Sequence, residues 1–288
     1  MSKSFVMKDR EPAAPPAEQR NVFVTGASGR IGSYFIQKYQ DRYDFTLMVR
    51  PGVEVDEKLA SLGHVVRCDL SDLAKLKSLV AGHDTMVHLA ANPSAQAKWE
   101  DLLQNNIVGT YNAMVAAKSA GCRRIVYASS IHAVSGYPPE FQVQADDPAN
   151  PGDVYGVSKC FGEALGRYMA EQQDLSVIVI RIGSFQSRRK AHDPRAVRLM
   201  NTFVSHQDLA QLIQLSVDDD SLQFAILHGL SHNRFNRMDI TEACELINYR
   251  PEDDFTEENP ALRVLRLHTR IPPHSERGGQ ESGLREDL

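Results

Sequence analysis

The sequence NVFVTGASGRIG, residues 21–32, joins a short apolar run to three glycines at positions 26, 29 and 32. It predicts a strand that turns sharply into an amphipathic helix. Glycines at such a turn let backbone N–H groups and the positive end of the helix approach a pyrophosphate closely. The spacing G-x-x-G-x-x-G differs from the commonest dinucleotide fingerprint, and a tight connection that binds nothing could carry the same glycines. Whether this turn holds a dinucleotide therefore depends on the motifs around it.

Strand-like and helix-like segments alternate along the chain after this turn. β-Rich runs end near residues 25, 49, 67, 88, 128 and 181, and amphipathic helical patterns separate them. Such alternation predicts βαβ units, a parallel sheet and right-handed crossovers. We therefore predict an α/β fold, a Rossmann-type doubly wound parallel sheet that binds ligands at the carboxyl ends of its strands.

Composition divides the chain into four parts. Residues 1–20, rich in proline, alanine and charge, are predicted to be a flexible segment, and residues 269–288 a disordered tail. Residues 21–181 carry the alternating pattern and form the predicted dinucleotide-binding core. Residues 182–268 hold a basic loop, two helical patterns and one β-rich run, too few elements for an independent domain. We predict that they form a small C-terminal substrate cap that completes the same domain.

Composition and charge also exclude several classes of protein. The 288 residues are 42% hydrophobic, enough for a sizeable core, and the formal net charge of −5 gives no reason to expect nucleic acid as a partner. No apolar run approaches the roughly 18 residues of a transmembrane helix, and the first residues lack the apolar region of a secretory signal. The four cysteines include no C-x-x-C pair. We therefore predict a cytoplasmic protein without a membrane partner, a disulfide framework or a metal site.

Charged residues follow the second and third predicted strands. At the end of the second strand of a dinucleotide fold, a carboxylate selects the ribose 2′-OH and an arginine accommodates a 2′-phosphate. Arg50 at this position favours NADP over NAD, although a solvated arginine before a Pro-Gly turn would look the same. Arg30, beside the middle glycine, could join Arg50 at a 2′-phosphate. Asp69, after the third strand, suits the adenine amino group or the N-cap of the next helix.

Tyr155 and Lys159 are four residues apart in a helical pattern, so they share one helix face. An ammonium about 6 Å from a phenolate, at an effective dielectric constant near 20, is worth roughly 3 kcal/mol, or about 2 pK units. A tyrosine so placed can act as a general base near neutral pH. The helix follows a predicted strand that leads into Ser130, whose hydroxyl can bind a substrate hydroxyl or carbonyl.

In their order along the chain these motifs resemble the extended short-chain dehydrogenase/reductase family, also called the NAD-dependent epimerase/dehydratase family. The resemblance covers roughly residues 20–250 and rests on TGASGRIG, Asp69, VHLAA, NNIVGT, YASS, YGVSK and RIGS. Within the family, YGVSKCFGE, RIGS and RLMNTFVSHQD are most similar to uronate dehydrogenases. Those enzymes oxidise the anomeric C1 hydroxyl of free galacturonate or glucuronate to an aldarolactone with NAD.

The resemblance implies a role for each matching residue. Tyr155 becomes the catalytic base, Lys159 lowers its pKa and holds the nicotinamide ribose, and Ser130 positions the reacting oxygen. The implied cofactor residues are Gly26, Ser28, Gly29, Arg30, Ile31, Gly32, Arg50, Asp69, Leu70, Leu89, Ala90, Ala91, Asn106, Tyr155, Lys159 and Ile182. The implied substrate residues are Ser94, Ser130, His132, Ser184 and Arg198.

Two of these substrate residues have simpler interpretations as well. Arg198 would hold the sugar carboxylate, since a guanidinium pairs a carboxylate bidentately, but it could equally form a surface salt bridge. His132 could be a loop histidine bonded to the backbone. The chain also departs from uronate dehydrogenases, because Ile131 replaces an asparagine that contacts the substrate and Arg50 replaces the acid that selects NAD. The sequence therefore leaves both the sugar and the choice of NAD or NADP open.

Two other functions are alternatives to a sugar dehydrogenase. A nucleotide-sugar epimerase or dehydratase usually carries a larger C-terminal substrate domain, whereas only residues 182–268 follow Arg181 before the tail. A non-catalytic NADP-sensing regulator would not need both Tyr155 and Lys159. We therefore predict a small sugar or sugar acid as substrate. The resemblance further implies a homodimer that pairs through two long helices, over residues 98–120 and 155–173.

Overall fold

The computed structural model describes residues 4–8 and 19–262. The strands are β1 (Phe5–Met7), β2 (Arg20–Thr25), β3 (Tyr43–Val49), β4 (His64–Arg67), β5 (Thr85–His88), β6 (Arg124–Ser130), β7 (Ser176–Ile182), β8 (Ser184–Gln186), β9 (Phe203–Ser205) and β10 (Leu222–Gly229). The α-helices are α1 (Arg30–Lys38), α2 (Glu57–Ala60), α3 (Leu73–Val80), α4 (Trp99–Leu102), α5 (Gly109–Ser119), α6 (Val154–Gln172), α7 (Arg188–Ala191), α8 (His206–Asp218), α9 (Thr241–Ile247) and α10 (Phe255–Glu258). A π-helical turn spans Leu103–Val108, and 3₁₀ turns span Ile131–Val134 and Pro194–Leu199.

Eight strands form one sheet in the order β1-β10-β7-β6-β5-β2-β3-β4, in which only β1 runs antiparallel to its neighbour. β8 and β9 form a separate parallel pair. β2 lies between β3 and β5. The chain runs from β2 outward through β3 and β4 on one side, and then crosses back to β5 on the other side. This reversal creates the crevice in which doubly wound sheets bind ligands. The predicted α/β fold with a doubly wound parallel sheet is confirmed.

The core occupies both faces of the sheet, because successive residues of a strand point to opposite faces. On one face Val22 and Val24 of β2 pack against residues of α1 and α8. On the other face Phe23 packs with residues of α3, α5 and α6. The sheet is therefore covered on both sides and exposes its strand ends. Within the described ranges no helix is long and apolar enough to cross a membrane, and no cluster of three His, Cys, Asp or Glu side chains could hold a metal ion.

The prediction of a flexible segment over residues 1–20 is wrong for Phe5–Met7, which pair with β10 at the edge of the sheet. The Ser4 hydroxyl also donates to Glu242 at 2.6 Å. A strand of three residues has almost no periodicity, and its partner lies more than 200 residues further on, so neither feature appears in the local sequence. Residues 9–18 and the predicted tail over 269–288 lie outside the described residues.

Two further expectations need correction. The helix expected over residues 98–120 is interrupted by the π-helical turn Leu103–Val108, which the apolar spacing of the sequence does not reveal. The basic loop expected over residues 187–198 folds instead into α7 and a 3₁₀ turn, N-capped by Ser187 and Asp193. Both short elements pack through Ala191, Ala196 and Leu199 into a small apolar cluster. Long-range packing therefore orders a stretch that looks polar in the sequence.

Candidate active site

The carboxyl ends of six parallel strands open into one cleft of about 1230 Å³. The residues that line it at the ends of β2 to β7 are, in that order, Gly26, Arg50, Asp69, Leu89, Ser130 and Ile182. The same cleft reaches Tyr155 and Lys159 on α6 and Ser184 on β8. A ligand in this cleft therefore touches the glycine turn at one end and the tyrosine–lysine pair at the other.

The glycine turn fits an anion. Gly26 has a φ of +70°, and a Cβ at this position would lie 2.8 Å from the Ala90 backbone nitrogen. Helix α1 begins at Arg30 with Gly29 as its N-cap, so no side chain caps its first N–H groups, and its first turn contains no acidic residue. Free N–H groups and the helix dipole together favour a negatively charged group at this end of the helix. A dinucleotide pyrophosphate matches that environment.

A buried histidine supports the backbone opposite the turn. The Ala90 N–H donates to Thr25 Oγ1 at 3.2 Å, and Thr25 Oγ1 also bonds His88 Nδ1 at 2.8 Å. Burial, and then the charge of Lys159, lower the pKa of His88 to about 3. The ring is therefore neutral at physiological pH. This chain of bonds fixes residues 89–91, which line the cleft.

The ends of β3 and β4 bring one cation, Arg50, and one carboxylate, Asp69, to the cleft. Asp69 Oδ1 accepts hydrogen bonds from the Ser71 N–H at 2.9 Å and from the Ser71 hydroxyl at 2.7 Å. These bonds, and to a lesser extent the charge of Arg50, lower the pKa of Asp69. The N-cap of α3 is Asp72, so the alternative that Asp69 caps this helix is wrong. Asp69 therefore remains an ionised acceptor at the cleft beside Arg50.

Tyr155 lies in the first turn of α6, and it lines the cleft together with Ser130 at the end of β6. Burial raises the pKa of Tyr155, and the neighbouring Ser130 hydroxyl opposes this shift only in part. The phenol therefore holds its proton at neutral pH in the protein alone. To lose its proton near neutral pH it requires nearby positive charge.

Lys159 supplies part of that charge. Its side chain is buried, with Nζ 5.7 Å from the centre of the Tyr155 ring and donating to the Ala128 carbonyl at 2.9 Å. Burial lowers the pKa of Lys159 to about 8, and the charge of Glu163 opposes that shift. At pH 7 the amine therefore keeps its proton and places a cation beside the phenol.

Glu163 forms a buried hydrogen-bond network next to Lys159. It follows Lys159 by one helical turn and accepts bonds from Arg181 at 3.0 and 2.9 Å and from the Ser129 hydroxyl at 2.5 Å. Arg181 and Glu163 are both buried, so each compensates the other's charge. The network ties α6 to β6 and β7 directly behind Ser130 and Lys159.

The π-helical turn Leu103–Val108 is held by Asn106. Its side chain accepts a bond from the Asn92 N–H at 2.8 Å and donates to the Asn92 carbonyl and to the Ser158 hydroxyl. Asn106 therefore connects this turn, the loop after β5 and α6. Gln104 and Asn105 of the same turn line the cleft, whereas Asn106 is buried behind its wall.

Two of the predicted substrate residues face the cleft beside Ser130. His132 lies in the 3₁₀ turn after β6, and its ring meets the Tyr155 ring edge-on at 5.3 Å between ring centres. Ser184 begins β8 and bonds Thr202 through the hydroxyl at 2.9 Å. Strand β8, which pairs with β9, thereby lines the cleft that Tyr155 also reaches.

Residues 22–234 match the NAD dependent epimerase/dehydratase family. This chain belongs to that family. The NAD-dependent glucose-6-phosphate dehydrogenase of Haloferax volcanii is 31% identical over 82% of this chain and 94% of its own length. The L-arabinose 1-dehydrogenase (NAD(P)(+)) of the same organism is 32% identical over 81% of this chain and 96% of its own length.

Among solved structures, the uronate dehydrogenase of Agrobacterium tumefaciens superposes with a TM-score of 0.73 at 30% identity. The match covers 90% of this chain and 91% of that one. The expected membership of the epimerase/dehydratase family is therefore confirmed. So are the Rossmann-type fold and the class of nicotinamide-dependent dehydrogenases that act on a CH–OH group.

Most of the predicted site residues meet in the cleft of this family member, but three do not line it. Those that line it are Gly26, Ser28, Gly29, Arg30, Ile31, Gly32, Arg50, Asp69, Leu70, Leu89, Ala90, Ala91, Ser130, His132, Tyr155, Lys159, Ile182 and Ser184. Asn106 is buried behind the wall, and Ser94 and Arg198 are exposed outside it. Arg198 lies in the 3₁₀ turn that packs with α7 into the small apolar cluster, and there its side chain is exposed and does not line the cleft.

Sequence reasoning missed several residues that shape the site. Glu163 continues the spacing of Tyr155 and Lys159 by four more residues, a signal that was available. Asp153 pairs with His132 at 2.6 Å, which depends on a contact across 21 residues. Phe185 and Gln186 reach the cleft through the β8–β9 pairing, and no periodic pattern in the sequence marks strands of three residues.

Proposed function

We propose that the protein oxidises the hydroxyl at C1 of a free sugar or sugar acid to the corresponding lactone, with NAD or NADP. One observation carries the proposal: the Tyr155 phenol, with the Lys159 ammonium beside its ring, lines the same cleft as Ser130 and the glycine turn. The nicotinamide cofactor, when bound, supplies the hydride acceptor. The residues of the chain then have to bind the sugar, orient it and take up one proton.

The proton balance assigns a role to each residue of the pair. As the C1 hydrogen leaves as hydride, the hydroxyl proton passes to Tyr155 and a carbonyl forms at C1. Ser130 holds the reacting oxygen through its hydroxyl. Lys159 stabilises the phenolate that must exist before the transfer, because its ammonium lies 5.7 Å from the ring centre. The buried Glu163–Arg181 pair keeps this lysine in place and opposes the loss of its proton.

The size of the cap favours a substrate without a nucleotide. After Ile182 the cleft is lined only by Gly183 and the short strand β8, that is by Ser184, Phe185 and Gln186, among the described residues. A nucleotide-sugar epimerase or dehydratase is the alternative within the same family. Turnover of a UDP- or GDP-sugar would favour that alternative and contradict a free-sugar substrate.

The cleft does not select between acidic and neutral sugars through Arg198. The relatives act on glucose 6-phosphate, L-arabinose and uronate according to their names, so the family accommodates acidic and neutral sugars alike. Arg198 does not line the cleft, which removes the expected carboxylate ligand from the argument for a uronate. We therefore include neutral aldoses as substrates on equal terms with uronates.

We propose that the cleft accepts NADP as well as NAD. Arg50 lines the cleft at the end of β3, where a guanidinium can pair a 2′-phosphate, and Asp69 next to it can accept a hydrogen bond from an adenine amino group. Arg30 lies at the start of α1, near the pyrophosphate position. It also donates to the Phe185 carbonyl at 3.1 Å, which restrains it there and leaves Arg50 as the main candidate for the 2′-phosphate.

A screen of free sugars tests the proposed function. Uronates, neutral aldoses, aldose 6-phosphates and UDP-sugars would each be offered with NAD and with NADP, and reduction followed at 340 nm. We expect reduction with at least one free sugar and a loss of kcat of about 10³-fold in Tyr155→Phe, the scale of general acid–base catalysis. Tyr168→Phe, on the exposed side of the same helix, serves as the matched control. Full activity of Tyr155→Phe would disprove the assignment.

We also propose a homodimer that pairs through the helices on one side of the sheet. The large apolar side chains that remain about half exposed there are Trp99, Tyr111, Val154, Val157 and Tyr168. Exposed apolar side chains gathered on neighbouring helices are typical of a contact surface. Light scattering after gel filtration would show the mass of a dimer, and Val157→Glu together with Tyr168→Glu would return it to that of a monomer.

A further inference from the structure

His132 and Asp153 form a polar pair at the edge of the cleft. His132 Nδ1 lies 2.6 Å from Asp153 Oδ2, and both side chains are about one-third exposed. An ionised carboxylate can only accept hydrogen bonds, so the proton of this contact belongs to His132 Nδ1. Nε2 is then the ring nitrogen left for a ligand, since His132 lines the cleft and Nε2 forms no hydrogen bond to any described residue.

The backbone around His132 is held as firmly as its ring. The His132 N–H donates to Ser130 Oγ at 3.2 Å, and the His132 carbonyl accepts from the Ser135 hydroxyl at 3.2 Å. The first turn of α6 packs directly on this carbonyl, where a Cβ at position 156 would overlap it. Gly156 therefore permits the close approach that brings Asp153 to His132.

Asp153 also caps the helix that carries Tyr155. Its other carboxylate oxygen, Oδ1, accepts from the Gly156 N–H at 2.7 Å and so caps α6. One carboxylate thus fixes the start of the helix that carries Tyr155 and the ring that lies edge-on to Tyr155. The catalytic phenol and the His132 ring are positioned together, with 5.3 Å between their centres.

We propose that Asp153 is a positioning residue that holds the proton of His132 on Nδ1 and thereby presents an unprotonated Nε2 to a hydroxyl of the sugar. This inference rests on the proposed function for the nature of the ligand. A neutral imidazole with its proton on Nδ1 accepts a hydrogen bond at Nε2, and sugar hydroxyls are donors. Because the ring adjoins Tyr155, the recognised hydroxyl lies near the reacting carbon.

The test separates this role from helix capping. Asp153→Asn keeps a side-chain oxygen for the cap, and asparagine is as good an N-cap as aspartate. Its amide nitrogen can face His132 Nδ1 only as a donor, so the ring must move its proton to Nε2. Asp72→Asn makes the same change at the N-cap of α3, outside the cleft, and serves as the matched control.

The first measurement determines the tautomer of His132 by NMR. In protein with ¹⁵N-labelled histidine, the His132 resonances are identified by their disappearance in His132→Gln. We expect the Nδ1–H form in the unmodified protein and the Nε2–H form in Asp153→Asn. An Nε2–H form in the unmodified protein would overturn the proposal, and so would an unchanged tautomer in the variant. This measurement needs no substrate, so it decides the role of Asp153 even if no sugar is turned over and the proposed function fails.

The second measurement is kinetic and uses the sugar with the highest kcat/KM in the screen. Loss of one hydrogen bond of ordinary strength corresponds to about a tenfold change, so we expect Asp153→Asn to raise the KM for the sugar roughly tenfold. The KM for the cofactor should stay the same, kcat should change less than about threefold, and Asp72→Asn should match the unmodified enzyme.

A double variant completes the test. If Asp153 acts through His132, Asp153→Asn adds nothing to the KM of His132→Gln. An additive, tenfold further increase in the double variant would overturn the proposal, since Asp153 would then act without the histidine. An equal rise in the KM for the cofactor would also overturn it, because that result indicates a general disturbance of α6.

Discussion

The cofactor half of the cleft and its substrate half are held by different kinds of contact. In the cofactor half, backbone meets backbone: the glycine turn approaches Ala90 directly, and Arg50 and Asp69 follow strands whose register the sheet fixes. In the substrate half, single side chains join segments far apart in sequence, as in Asp153 with His132 and Ser184 with Thr202. In the first half, a side chain added at the glycine turn must displace backbone. The second can change its ligand through individual side chains while the sheet stays intact.

The largest expected effect lies where the two halves meet. Lys159→Met removes the buried ammonium beside Tyr155, so kcat should fall about 10³-fold while the sheet remains folded. Lys118→Met, at the end of α5, is the matched control for loss of a lysine. Stopped-flow measurement of a single turnover isolates the chemical step. A fall of less than about tenfold would show that the phenol loses its proton without this cation.

The rigidity of the cofactor half is tested at Gly26. Gly26→Val combines a φ of +70° with a Cβ 2.8 Å from the Ala90 nitrogen. We expect the Kd for NAD and for NADP to rise about 100-fold, roughly 2.7 kcal/mol, measured by calorimetry. Gly52→Val has a similar φ of +78° but no atom within 4 Å of the added Cβ, and should leave both Kd values within about threefold. Equal increases in Kd for the two variants would show that the loss of affinity comes from the positive φ and not from the contact with Ala90.

Acid should destabilise the protein at His88, the buried residue that supports the backbone of the cofactor half. The pKa of His88 is about 3 in the folded protein and 6.5 in the unfolded chain, so the unfolded state binds more protons between these values and stability falls as pH drops. Between pH 7 and pH 5 this histidine should account for about 2 kcal/mol of the loss in the free energy of unfolding. Urea unfolding at both pH values should show a smaller pH dependence in His88→Gln by that amount. The same pH dependence in both proteins would contradict a neutral, buried ring.

Arg50 tests which dinucleotide the cofactor half selects. Arg50→Gln should raise the Kd for NADP about tenfold, the effect of one charge-assisted hydrogen bond, and leave the Kd for NAD unchanged. Arg67→Gln, at the end of the neighbouring strand β4 and outside the cleft, is the control. A parallel change for both dinucleotides would remove Arg50 from the 2′-phosphate site.

The smallest effect is expected at Arg198. Here the family resemblance and the structure predict different changes in KM. By resemblance, Arg198→Ala should raise the KM for a uronate steeply and leave a neutral sugar unaffected. The structure places this side chain outside the cleft, so we expect less than a twofold change for either sugar. Arg195→Ala, in the same 3₁₀ turn, gives the baseline for loss of an exposed arginine. A steep rise for the uronate alone would show that the turn moves to the substrate.

Much of the cofactor half could be predicted from the sequence because several of its residues, such as Gly26, Arg50 and Asp69, come just after a strand. A strand and the turn after it are local features, and parallel strands bring their carboxyl ends to one edge of the sheet. The positions of Gly26, Arg50 and Asp69 therefore follow from the pattern of strands alone. The i, i+4 spacing places Tyr155 and Lys159 on one face of a helix for the same local reason.

The tertiary structure alone decided the substrate half, because its geometry depends on contacts between distant segments. The strand β1, the pair β8–β9 and the π-helical turn at Leu103–Val108 have no periodic signal of their own. Arg198 matches a substrate residue by sequence, yet in the structure it is exposed and does not line the cleft. Asp153 looks like an ordinary helix cap, and only the close approach of Gly156 to residue 132 makes it the partner of His132. Sequence specifies which groups are available at this cleft, whereas packing decides which of them a sugar can reach.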